Sequence, residues 1–193
     1  MIRAGIVLSL AFAALFVFGH PVRWTAAALL MSDIAASGDL TFYKRLTRSP
    51  VEATSTLRNV EVDLYTPASS ARASLVLVPG AAVLGREEPR LRNLARSLAR
   101  AGFLVIVPEL PGPRRLSLSR ADAEILAEVL RGANANRPWL PSGIAAVSYG
   151  VGPAIIAALE PDLLGKVDFI VGIGGYHNTD SAIQFMVTGT FRR

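Results

Sequence analysis

Residues 144–150 read Ile144-Ala145-Ala146-Val147-Ser148-Tyr149-Gly150. An apolar run passes straight into a serine, and Ala154-Ile155-Ile156-Ala157-Ala158-Leu159 follows with helical character. A short, wholly apolar run is the mark of a strand covered on both faces of a sheet. A serine between such a strand and a helix sits on a sharp turn, often in strained backbone, with its hydroxyl presented at the end of the sheet. That turn demands small residues two before and two after the serine, so that strand and helix can approach. Ala146 and Gly150 meet the demand. The hydroxyl then stands at a helix N-terminus, where oriented N–H groups favour a developing anion. The plainer reading makes Ser148 a helix N-cap. The strand before it, the helix after it and its place in a strand–helix series favour a nucleophile.

That series extends outward in both directions. Leu75-Val76-Leu77-Val78 is another apolar run, ended by Pro79-Gly80. Glu87, Glu88 and Pro89 then open a helix whose inner face is Leu91, Leu94, Ala95, Leu98 and Ala99, stopped by Gly102. Phe103-Leu104-Val105-Ile106-Val107 is a strand, and Pro108, Pro111, Gly112 and Pro113 read as a rigid loop. Ser119 with Asp122 marks a helix start; Ala121, Ile125, Leu126, Val129 and Leu130 form its inner face, and Gly132 is expected to end it. Phe169-Ile170-Val171-Gly172-Ile173 is a further buried strand. Upstream, Val60-Glu61-Val62-Asp63-Leu64-Tyr65 alternates with period two, as a half-buried strand does. Buried strands alternating with helices give a mostly parallel α/β sheet flanked by helices. Chemistry then gathers at the carboxyl ends of the strands, here Gly80, Pro108, Ser148 and Gly174.

Composition supports one globular domain. The chain has 193 residues, 51% hydrophobic and 18% charged, which excludes a disordered chain. Cys is absent, so a disulfide scaffold, a thiolate metal site and a cysteine nucleophile are excluded. His20 and His177 are the two histidines, too few for a multi-histidine metal site. The net charge of +5 is spread singly along the chain, and a nucleic-acid partner is not expected from it.

The glycine patterns are decoys. Gly80 to Glu87 has the strand-to-helix setting of a P-loop, but Arg86 and Glu87 stand where Lys and Ser or Thr are needed. Gly150-Val151-Gly152 and Gly172-Ile173-Gly174 each begin a dinucleotide fingerprint, and Ile155 and His177 occupy the position of its third glycine. No metal or organic cofactor is expected.

Over about residues 58–190 the sequence resembles the α/β-hydrolase superfamily, in particular esterase/lipase-like and dienelactone-hydrolase-like members. Three landmarks carry the resemblance. One is the turn at Ser148, with Ala146 in place of the usual first glycine. Another is Leu77-Val78-Pro79-Gly80-Ala81-Ala82, placed like the family's oxyanion loop, with Pro79 in place of its frequent His. The third is the helix-to-strand run Leu94 to Pro108. The resemblance implies a serine hydrolase acting on a small-molecule carboxylic ester or related acyl compound. It implies Ser148 as nucleophile, the backbone N–H groups of Tyr149 and Ala81 as oxyanion hole, and a His–acid pair downstream.

That pair is the weak point. The family's acid and His follow later strands, whereas His177 and Asp180 come soon after the strand at 169–173. They are only weak candidates, and a polar loop or pocket role suits them as well. The sequence stops at Phe191-Arg192-Arg193. Either it is a fragment of a longer hydrolase or it is a shortened, non-catalytic binding domain on the same fold. The fragment is preferred, because an incomplete sheet exposes an unpaired apolar edge. Among lesser candidates, Glu109 lines the site or sits solvated in a loop, Asp168 is structural, and Tyr65, Tyr176 and Trp139 pack in the core or cap a pocket, with the core preferred.

Before the domain, Ala4 to Phe18 is almost unbroken apolar sequence, preceded by Arg3. Residues 1–23 are read as an N-terminal hydrophobic anchor helix, with a cleaved signal segment as the alternative. An anchor of this kind places the domain on the outer, periplasmic or extracellular side. Residues 24–50 are a linker containing a short helix over Trp24–Ala36, ended by Gly38. Residues 51–193 are the hydrolase domain, incomplete at its C-terminal end.

Overall fold

Three apolar runs named above become the centre of one sheet in the computed structural model, which describes residues 21–115, 117, 119–176, 178, 181, 184, 188 and 189. The strands are β1 (Val51–Leu57), β2 (Val60–Thr66), β3 (Ala73–Val78), β4 (Phe103–Pro108), β5 (Ser142–Val147) and β6 (Phe169–Ile173). Their spatial order is β1-β2-β4-β3-β5-β6. β1 and β2 run antiparallel to each other, and β2 runs antiparallel to β4; β4, β3, β5 and β6 are parallel. The helices are α1 (Pro21–Ala35), α2 (Phe42–Leu46), α3 (Pro89–Arg100), α4 (Pro111–Arg115), α5 (Arg120–Asn136) and α6 (Val151–Ala158).

The period of two in β3 divides the core. Val76 and Val78 pack with Val62, Ile106, Ile144, Leu126, Leu130 and Ala154, so α5 and α6 cover one face. Leu75 and Leu77 pack with Tyr65, Val105, Val107, Leu91, Ala95 and Ala99, so α3 covers the other. Every residue of β3 is buried, as an interior strand of an α/β sheet requires. Each fully buried Val or Leu contributes about 1.5–3 kcal/mol.

Several expectations are corrected. β1 was not foreseen: its Val51-Glu52-Ala53-Thr54-Ser55-Thr56-Leu57 is almost wholly exposed and carries no burial pattern. It joins β2 through Arg58 and Asn59, both at positive φ (47° and 65°), the backbone of a two-residue hairpin turn. The proline loop contains α4, because a proline opening a helix gives up only an N–H that has no partner there. Helix α5 runs through Gly132 to Asn136 rather than ending at the glycine. Gly132 is there for contact: an added Cβ would lie 2.6 Å from Leu57 Cγ. β6 is not buried, and from Ile170 to Ile173 its side chains are exposed. Trp139 is 74% exposed, in the connection from α5 to β5. Tyr65 is buried as expected, and Asp168 is structural, its Oδ2 accepting the Ser142 N–H at 2.7 Å.

The chain divides into two compact units, Met1–Thr47 and Arg48–Arg193. In the first, α1 begins at Pro21 and extends over the helix expected at 24–36. Asp33 is buried and accepts a hydrogen bond from Thr41, whose Oγ1 also caps α2 by accepting the Lys44 N–H at 3.1 Å. The anchor reading falls on residues 1–23, of which 1–20 lie outside the described residues and 21–23 start α1. No helix among the described residues is long and apolar enough to cross a membrane. The second unit carries the sheet and the candidate site.

Candidate active site

β5 ends at Val147, and Ser148–Gly150 form a single tight turn before α6. Ser148 has φ +47°, a left-handed conformation that non-glycine residues avoid. The residue is exposed, while Ala146, Tyr149 and Gly150 around it are buried. No side-chain capping bond is made at the start of the turn or of α6, so Ser148 is not a conventional N-cap. The small residues do what the turn demands. A Cβ on Gly150 would lie 2.7 Å from Pro79 O and 2.8 Å from Val78 Cγ1, so α6 starts in contact with the end of β3. Ala146 is 1% exposed and packs in the core beneath the turn.

The loop after β3 passes beside the serine. A Cβ on Gly80 would lie 3.6 Å from Ser148 Cβ and 3.3 Å from Val147 O. Ala82 N–H is taken by Pro113 O at 3.2 Å, whereas Ala81 N–H has no backbone acceptor among the described residues. Tyr149 N–H lies in the first turn after β5, where N–H groups lack intrahelical partners. The segments that carry Ala81 and Tyr149 thus converge on Ser148.

Both segments are held from behind. Tyr149 Oη donates to Asp122 Oδ2 at 2.5 Å and accepts the Ser119 N–H at 3.2 Å. Asp122 is fully buried, and its Oδ1 accepts the Gly112 N–H at 3.1 Å. A Cβ on Gly112 would stand 1.9 Å from Asp122 Oδ2, so only glycine admits the carboxylate. Burial, reinforced by the bond to Asp122, pushes the Tyr149 hydroxyl up to about 12. Free tyrosine in the unfolded chain ionises near 10. The sign follows from linkage: between pH 10 and 12 the unfolded state sheds a proton that the native state keeps, so stability is complete below 10 and falls as pH rises towards 12. Tyr149→Phe is expected to flatten that fall in urea titrations, with Tyr65→Phe as control because burial raises Tyr65 as well.

On the other side, Arg86 anchors the loop. Its Nε donates to Glu109 Oε2 at 2.9 Å and its Nη2 to Glu61 Oε1 at 2.6 Å, and Nη1 bonds Asp63. Burial opposes the charge, yet Asp63, Glu61 and Glu109 together hold the guanidinium above its ordinary value. Glu109 also accepts from Arg114 Nη1 at 3.0 Å, so it is an ion-pairing residue rather than a solvated loop acid.

A cavity of about 560 Å³ lies between the loop and α3, lined by Gly80, Val83, Leu84, Leu94 and Val147 among others. Another, of about 510 Å³, is lined by Ser119, Arg120, Tyr149, Gly152, Ile156 and Tyr176. Ser148 lies on the chain between Val147 of one and Tyr149 of the other. Tyr176 is half-buried and lines this second cavity, the pocket reading of the two offered for it and not the preferred core one. His177 and Asp180 lie outside the described residues. Among the described residues, no cluster of three or more histidines and carboxylates is placed to hold a metal ion. Sequence reasoning missed Asp122 and Arg86 as supports of the site; it read them as a helix-start residue and as a failed phosphate loop.

Sequence comparison is silent: no protein-family model matches the chain, and the search of curated proteins gives no match. Comparison of structures is informative. The dienelactone hydrolase of Anabaena variabilis superposes with a TM-score of 0.55 at 22% identity, over 66% of this chain and 65% of that one. The fold is that of the α/β-hydrolases. A thermostable carboxyl esterase of Bacillus coagulans shares it, with a TM-score of 0.52 at 16% identity, over 73% of this chain and 49% of the esterase. This α/β-hydrolase-fold chain thus spans less than two thirds of the length of either protein. In this chain the turn carrying Ser148 joins β5 to α6 of that fold.

Proposed function

We propose that the protein is a serine hydrolase acting on a small-molecule carboxylic ester or related acyl compound. The observation that carries the reading is Ser148 at φ +47°, exposed on the turn from β5 to α6 beside the Gly80 loop. The structural likeness to a dienelactone hydrolase and a carboxyl esterase supports it. Ser148 Oγ attacks the acyl carbon as a general base takes its proton. The carbonyl oxygen becomes an oxyanion held by the N–H groups of Tyr149 and Ala81. The bond to the alcohol oxygen then breaks, the alcohol leaves with the proton, and an acyl group remains on Ser148. Water, deprotonated by the same base, releases the acid and restores the serine. The reaction calls for an imidazole as base and a carboxylate to orient it; His177 and Asp180 are the candidates in this sequence.

An active-site-directed fluorophosphonate tests the proposal. We expect the full chain to be labelled on Ser148, with labelling lost in Ser148→Ala. Folded protein that takes up no label would instead favour a non-catalytic binding domain on the same fold.

A further inference from the structure

The cavity between the loop and α3 has an unusual wall. Val83 and Leu84 are 66% and 46% exposed, on a loop that Arg86 and Pro113 hold in place. Exposed leucines and valines are ordinary when scattered. These two face a cavity whose remaining wall includes Leu91, Leu94 and Val147, so five apolar side chains converge on one space. The charges among its lining residues come from Glu88 and Arg90, at the start of α3. The cavity also shares Gly80, Ala81 and Val147 with the surroundings of Ser148. The second cavity is more mixed, since Ser119, Arg120, Tyr149 and Tyr176 line it together with Pro153 and Ile156. An ester bound at Ser148 has two arms, and the two cavities differ in the chemistry they accept.

We infer that the Val83–Leu94 cavity takes the acyl chain of the substrate, and that this chain is an aliphatic one several carbons long. The inference rests on the serine hydrolase reading for its catalytic part, but the cavity's affinity for an alkyl chain stands independently. With the carbonyl oxygen between the N–H groups of Ala81 and Tyr149, the acyl chain runs along the loop after β3 into the cavity that Gly80, Ala81 and Val147 help to line. It ends against Leu91 and Leu94. The alcohol arm leaves towards Arg120 and Tyr176. A volume of about 560 Å³ is in the range of small-molecule sites. A fully buried methylene is worth about fourfold in affinity. The cavity is open to solvent on one side, so about twofold per methylene is expected.

The test is a series of p-nitrophenyl esters from acetate to dodecanoate, run on the full chain beside fluorophosphonate labelling. We expect kcat/KM to rise about twofold per methylene to octanoate, roughly 60-fold in all. Leu94→Trp fills the cavity and should lower the ratio of octanoate to acetate kcat/KM at least tenfold. Val83→Asp places a carboxylate on an exposed position that the fold tolerates, and should do the same should Leu94→Trp fail to fold. Labelled protein with a flat chain-length profile, or a profile that both variants leave intact, would overturn the inference and leave the hydrolase reading standing. Protein that neither takes label nor hydrolyses acetate would overturn the hydrolase reading. Binding of 11-(dansylamino)undecanoic acid then decides the cavity alone: fluorescence enhancement weakened at least tenfold by Val83→Asp supports it, and absence of enhancement overturns it.

Discussion

Ser148→Gly is expected to melt at a higher temperature than the parent protein and to hydrolyse no ester. The stability gain follows from the backbone. At φ +47° the Cβ of Ser148 crowds the following carbonyl, a strain of about 1–2 kcal/mol that glycine does not suffer. Glycine gives back roughly 0.5–1 kcal/mol through the extra freedom of the unfolded chain. The net gain is about 0.5–1 kcal/mol, or roughly 1–4 °C for a chain of this size. The activity loss follows from removing the attacking oxygen, on the order of 10⁴-fold or more in kcat. Ser148→Ala is the control, because alanine removes the oxygen and keeps the strain. It should lose the same activity without the rise in melting temperature. Scanning calorimetry of the three proteins checks this. A glycine variant melting no higher than the alanine variant would show that the turn is unstrained.

Gly150→Val should be the most damaging single change at the site. The new Cβ would lie 2.7 Å from the Pro79 carbonyl oxygen and 2.8 Å from Val78 Cγ1, and one of these is backbone that no rotamer change can move. The end of β3 is fixed by its pairing with β5, including Val78 with Ala146. The clash therefore displaces α6 or the loop after β3. Overpacking of this kind costs about 1–3 kcal/mol, and a β-branched residue on the turn pushes the cost towards about 3 kcal/mol or somewhat beyond. We expect the melting temperature to fall by roughly 6–12 °C. Labelling of Ser148 should fall even below the melting transition, since Tyr149 N–H moves with the turn. A variant melting within about 2 °C of the parent would contradict the close approach of β3 and α6.

The parts of the fold legible in the sequence were those whose physics is local. Leu75–Val78, Phe103–Val107 and Ile144–Val147 read as buried strands because each is apolar on both faces, and each is an interior strand. Ser148 read as a nucleophile because strand, serine, glycine and helix follow one another without a gap. β1 stayed hidden because Thr54, Ser55 and Thr56 are exposed; its one local signal was the Arg58-Asn59 turn. β6 misled in the opposite direction, since its apolar residues look interior and lie exposed. Gly132 misled because a glycine selected for contact with Leu57 is indistinguishable in sequence from one that ends a helix. The supports of the site were beyond reach for a different reason. Asp122 meets Tyr149 across 27 positions, and Arg86 meets Glu61 across 25, and no local pattern announces either partner.

The Arg86 clamp makes the loop after β3 modular. One side of the loop is fixed where Ala82 N–H meets Pro113 O and Gly80 meets the serine turn; the other is fixed where the guanidinium meets β2 and Glu109. Val83 and Leu84 lie between these fixed points along the chain and are exposed. Their side chains can therefore change while the loop keeps its place. Under the proposed hydrolase reading, positions 83 and 84 vary separately from Ser148, which makes that dipeptide the natural place to begin a library for altered chain-length selectivity.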